Sequence, residues 1–122
     1  MYLSAAPQCP YPDAHLSTAI GTGLFNYVWV QFYNNPQCDY SGGLSGLSSA
    51  WGQWTSGVPG ASVFLGLPAS TDAAGSGYIS PSDLTSTVLP AINGASNYGG
   101  IMLWNRYYDG LNGYSAAVKG NV

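Results

Sequence analysis

Apolar, β-branched and aromatic residues gather in four short runs, at residues 2–6, 27–33, 62–67 and 100–104. Each run predicts a buried strand. The runs YVWVQFY and SVFLGLP are nearly continuous in apolar character, as expected of parallel strands covered on both faces, and Gln31 is the one amide inside the first. A buried amide needs a hydrogen-bond partner, which is either another group of the fold or a ligand hydroxyl. Between the runs lie helical signals: 13–23 after Pro12, 43–57 with Leu44, Leu47, Trp51 and Trp54 on one face, and 82–92 opened by Pro81 and Ser82. Pro90 predicts that the third helix ends or kinks near Leu89, because proline has no N–H to donate. The tail 112–122 can form a last short helix.

Strand and helix therefore alternate four times, the order that builds an α/β parallel sheet backed by helices. Segments 11–13, 34–43, 68–81 and 107–112 are rich in Pro, Gly, Asn and Ser and predict loops, mostly following strands. If the units belong to a (β/α)8 barrel, strand carboxyl ends face the site. That makes Gln31, Tyr33, Asn34 and Asn35 candidates at one end, and Trp104, Asn105 and Arg106 at another. Four strands cannot close such a barrel; two edges and an inner face stay open for a missing half or a second copy. No internal repeat or low-complexity linker divides the 122 residues, so 1–122 reads as one domain.

Charge narrows the function. Arg106 and Lys119 are the only cations against five Asp, which leaves no basic patch for nucleic acid or an anionic membrane surface. No apolar run reaches the roughly eighteen residues of a membrane span, and MYLSAAPQCP lacks the basic start and apolar stretch of a signal peptide. Met1 fits an initiator placed before a fragment. With charged residues at 6%, polarity comes from Gly, Ser, Asn, Thr, Gln and Tyr. Beside aromatic rings these suit a neutral, hydroxyl-rich ligand such as a sugar, although the surfaces of secreted proteins share that composition. Cys9 and Cys38 form no CxxC or His-containing metal spacing and favour one disulfide over two buried thiols. No cofactor motif is present, and His15, alone and near a helix start, reads as a solvated first-turn residue rather than a base.

The segments YLSAAPQCPYPD, YVWVQFYNNPQC, VFLGLPAS followed by AAGSGYI, and YGGIMLWNRYYD resemble, in order and spacing, the last four strands of plant and fungal class III chitinases of the hevamine type, in glycoside hydrolase family 18. The resemblance runs from Tyr2 to Val122. It implies the C-terminal half of a (β/α)8 barrel, a secreted protein, a Cys9–Cys38 disulfide and chitin or N-acetylglucosamine oligosaccharides as ligand. The family's chemistry is substrate-assisted: a Glu protonates the leaving oxygen and the substrate's own N-acetyl oxygen attacks the anomeric carbon. By resemblance Tyr33 donates its hydroxyl to the N-acetyl group, Gln31 stands beside it, Asn34 belongs to the substrate-binding set, and Trp104 forms an apolar floor under the sugar.

One departure weighs against activity. The family's acidic strand motif, in outline Asp-x-x-Asp-x-Asp-x-Glu, belongs to the strand before Tyr2, and this chain contains no Glu. Asp109 lies at the right face but reads as a loop-structuring residue. Three readings follow: a piece of an active chitinase, a non-catalytic sugar-binding half barrel, and a structural unit that assembles with a second copy.

Overall fold

In the computed structural model, which describes residues 1–122, four parallel strands pair in chain order: β1 (Ser4–Ala5), β2 (Tyr27–Gln31), β3 (Ser62–Pro68) and β4 (Tyr98–Trp104). Helical segments connect them: α1 (Ser17–Ile20), α2 (Leu44–Gly57), then α3 (Pro81–Asp83) running through a π-helical turn at Leu84–Val88 into α4 (Leu89–Ile92). After β4 come α5 (Arg106–Asn112) and α6 (Tyr114–Val118). The fold is half of a (β/α)8 barrel.

Side-chain alternation sets the two faces of the sheet. Val28 and Val30 of β2, and Val63, Leu65 and Leu67 of β3, are fully buried with Leu47, Trp51 and Trp54 of α2. The indole N–H groups of both tryptophans are satisfied, Trp51 donating to the Ile92 carbonyl at 3.0 Å and Trp54 to that of Cys9 at 2.8 Å. The opposite face carries no helices. Tyr2, Tyr27, Phe64 and Trp29 form a chain of ring contacts there, with centroids 5.7, 6.3 and 6.4 Å apart. Gly99 makes room for one of these rings, since a Cβ at that position would lie 2.6 Å from Phe64.

Several elements depart from the sequence expectation, each for a local reason. The first strand is only Ser4–Ala5, because Pro7 has no N–H to continue a ladder; contact with β2 persists through Gln31 N to Pro7 O at 2.8 Å and Cys9 N to Gln31 O at 3.1 Å. The first helix begins at Ser17 rather than 13, because the Asp13 carboxylate accepts from the His15 and Leu16 amides and holds a turn ahead of it. His15 is exposed in that turn.

Pro90 does not stop the third helix. It sits in the first turn of α4, and the wider π turn before it absorbs the lost hydrogen bond. Residues 107–112, expected as loop, are helical: the Asn105 side chain accepts from Tyr107 N at 3.1 Å and Tyr108 N at 3.4 Å, and Gly113 at φ 69° ends the helix. The tail helix is confined to Tyr114–Val118. Cys9 and Cys38 are joined, with Cα atoms 6.0 Å apart, tying the segment after β1 to the loop after β2.

Candidate functional site

At the carboxyl ends of the strands, parallel register places Gln31, Gly66 and Met102 in one row and Pro68 beside Trp104 two rows further on. Gly66 matters here because a Cβ would come within 2.6 Å of Met102 Cε and 2.5 Å of the Val30 carbonyl, so no larger residue fits between its neighbours. The helix-free face opens there into a depression of about 580 Å³ lined by Ala6, Trp29, Gln31, Tyr33, Asn34, Met102 and Trp104. Two smaller depressions, of about 160 and 60 Å³, share Ile20, Gly21, Gly57 and Val58 in their lining.

The large depression thus gathers Gln31, Tyr33, Asn34 and Trp104 from two strand ends. The three other strand-end candidates do not line it. Asn35 turns its amide to Gln8 Oε1 at 3.0 Å and the Tyr33 carbonyl at 3.2 Å, Asn105 caps α5, and Arg106 is exposed on that helix. Trp29 and Met102 enter the site although the sequence reading passed them over. Each stands two residues before a named candidate on the same strand, so period-2 alternation could have found both.

Each site side chain is held differently. Tyr33 is 6% exposed, and its hydroxyl has no hydrogen-bond partner within the chain; burial raises the phenol pKa, so it remains a proton donor at neutral pH. Gln31 donates from Nε2 to the Ala6 carbonyl at 2.7 Å, leaving Oε1 free to accept. Asn34 occupies the left-handed region at φ 60°, where its Oδ1 accepts from Gly75 N at 2.7 Å and its backbone N–H donates to Ser76 O at 3.2 Å. Trp104 is 51% exposed, a bare indole at the end of β4.

No carboxylate lines the depression. Asp13 and Asp39 are buried but serve the loops around them, Asp13 through the Gln8, His15 and Leu16 amides and Asp39 through Asn35, Ser41 and Ser76. Asp109 accepts from the amide of Ser115 at 2.6 Å and its hydroxyl at 2.7 Å, bracing the join between α5 and α6. Those bonds hold its carboxyl below the usual carboxylate range, against a smaller effect of burial and aided by nearby Arg106. Two indoles, a phenol donor and neutral amides can grip the CH faces and hydroxyls of an uncharged ring. They offer no acid or base of carboxylate strength.

The parallel half barrel with a neutral, aromatic depression at its strand ends defines the fold class, and the chain's relatives narrow that class. No family model matches the chain. The acidic endochitinase SE2 of Beta vulgaris is 63% identical over 122 residues, all of this chain and 41% of that protein. A chitinase from Ipomoea carnea superposes with TM-score 0.92 at 49% identity, over 99% of this chain and 44% of its own. A tamarind chitinase-like lectin superposes with TM-score 0.90 at 42% identity, over 96% of this chain and 44% of its own. The chain thus matches plant acidic endochitinases along its whole length, has a glycoside hydrolase family 18 chitinase among its structural neighbours, and spans about two fifths of the length of the curated relatives it matches.

Proposed function

We propose that residues 1–122 are the C-terminal half barrel of a secreted chitinase-type catalytic domain, and that the depression at the strand ends binds N-acetylglucosamine units of chitin. The convergence of Gln31, Tyr33, Asn34 and Trp104 in one depression is the observation that carries this reading. Trp104 presents an indole face for the sugar ring to stack on, and Tyr33 offers its unpartnered hydroxyl to the N-acetyl oxygen as that oxygen attacks the anomeric carbon. Gln31 Oε1 and the side-chain Nδ2 of Asn34 complete the hydrogen bonding to sugar hydroxyls. The acid that protonates the leaving oxygen comes from outside these residues, since the chain has no Glu. The partner that supplies it covers the open inner face and pairs with the free edges of β1 and β4.

By itself the chain should not hydrolyse chitin oligosaccharides. Turnover of a fluorogenic N-acetylglucosamine oligomer is the test: none is expected with the chain alone, and activity is expected on adding the acid-bearing half of a relative's barrel. Activity of the intact-mass chain alone would overturn the assignment of roles.

A second reading, non-catalytic sugar binding, is favoured by one comparison: the tamarind neighbour is described as a chitinase-like lectin. Under it the same depression binds oligosaccharide, and adding the acid-bearing half restores no turnover.

A further inference from the structure

Asp39 is 0% exposed, and neither of the chain's two cations pairs with it. A buried carboxylate without a counter-ion persists only where hydrogen-bond donors replace its water. Here four do so, from three separate places. Oδ1 accepts from the amide and hydroxyl of Ser41, at 2.9 and 2.5 Å, at the entrance to α2. Oδ2 accepts from Asn35 N at 3.1 Å in the loop after β2, and from the Ser76 hydroxyl at 2.6 Å in the loop after β3.

The Ser76 bond is the one that reaches across the sheet, 37 positions along the chain. Beside it the loop after β3 lies directly on the end of β2. Gly75 N donates to Asn34 Oδ1 at 2.7 Å, and Asn34 N donates to Ser76 O at 3.2 Å. Gly77, at φ +99°, comes so close that a Cβ would stand 2.7 Å from the Phe32 carbonyl and 2.8 Å from Tyr33 Cα. Residues 75–77 therefore form a clamp over Phe32, Tyr33 and Asn34, two of which line the depression.

We propose that Asp39 is a positioning residue: through Ser76 its carboxylate holds the loop after β3 against the end of β2 and so fixes Tyr33 and Asn34 in the depression. Asn tolerates the left-handed region better than most side chains, and the Gly75 N bond to Asn34 Oδ1 helps hold it there, so releasing the loop after β3 loosens that conformation. The influence on sugar binding rests on the reading under Proposed function; the mechanical part does not.

Two serines make the test internal. Ser41 and Ser76 each donate a hydroxyl to the same carboxylate, but only Ser76 links it to the second loop. Ser41→Ala, Ser76→Ala and Ser76→Thr are compared by amide hydrogen exchange and by the NMR signals of the Tyr33 ring, without sugar. Ser76→Ala is expected to speed exchange at Asn34 and Gly75 about tenfold and to shift or broaden the Tyr33 signals, the scale of one lost charge-assisted hydrogen bond. Ser76→Thr keeps the hydroxyl and should restore both; Ser41→Ala should leave both near the parent values.

Equal effects of the two alanine variants, or none from either, would overturn the proposal by reducing Asp39 to a general anchor. Titration with an N-acetylglucosamine oligomer then separates the two layers. Affinity should fall with Ser76→Ala alone, whereas a parent chain with no affinity would defeat the sugar reading and leave exchange and NMR to decide the role of Asp39.

Discussion

Gln31 Nε2 donates to the backbone carbonyl of Ala6 across 2.7 Å, from the last residue of β2 to the chain just beyond β1. The same residue's backbone brackets that segment, accepting from Cys9 N and donating to Pro7 O. The amide inside an otherwise apolar strand therefore has a structural partner, and its Oε1 and second Nε2 hydrogen remain for a ligand. Gln31→Leu should lower stability by about 1 to 2 kcal/mol, the scale of a lost hydrogen bond with its acceptor left unpaired. It should weaken sugar binding less than Tyr33→Phe does. Urea unfolding beside oligosaccharide titration checks both, and a variant of parental stability that had lost all binding would reverse the assignment.

The Cys9–Cys38 bond closes a loop of 29 positions between two buried residues. Chain-entropy reasoning assigns such a closure about 3 to 4 kcal/mol. That is a large share of the stability of a half barrel with one open face. Denaturant unfolding with and without reductant should differ by that amount, and the unreduced protein should present no alkylatable thiol. Two reactive thiols under oxidising conditions would contradict the bond.

Acid should unfold the chain in part through Asp13. Burial pushes its carboxyl up, but hydrogen bonds from the Gln8, His15 and Leu16 amides together outweigh burial and hold it below the ordinary 3.8. A depressed folded value means the contribution is fully present above the unfolded value and lost as pH falls through the folded one. Stability should therefore decline from about pH 4 downward, and less steeply in Asp13→Asn. A variant with the parent's acid slope would show that Asp13 does not contribute.

The half-barrel order was legible because its signals are local. Apolar runs at β2 and β3, the Leu47, Trp51 and Trp54 stripe of α2, and the turn residues between them all agree with the global fold. What the sequence hid depends on partners far along the chain or on single side-chain bonds. Asn105 converts a loop-like segment into α5 by capping it, and where an end or kink was expected near Leu89 a π turn passes into a further α-helical turn. For the site, Tyr33, Trp104, Gln31 and Asn34 could be named from strand ends and resemblance. Which amides were already occupied could not, because Asn35 and Gln31 find their partners, Gln8 and Ala6, about 25 residues away. Asp39 was invisible for the same reason: its key donor, Ser76, belongs to another loop.

Tyr33 and Trp104 are proposed as the sugar-binding part of this half barrel. The most direct measurement of that role is titration of an N-acetylglucosamine oligomer against the parent chain, Tyr33→Phe and Trp104→Ala, each confirmed folded. An open half cleft should bind with a Kd of about a millimolar, because a few stacking and hydrogen-bonding contacts must first offset the cost of association. Removing the phenol hydroxyl or the indole should each weaken binding about three- to tenfold. Binding that both folded variants retain unchanged would place the sugar elsewhere and contradict the account.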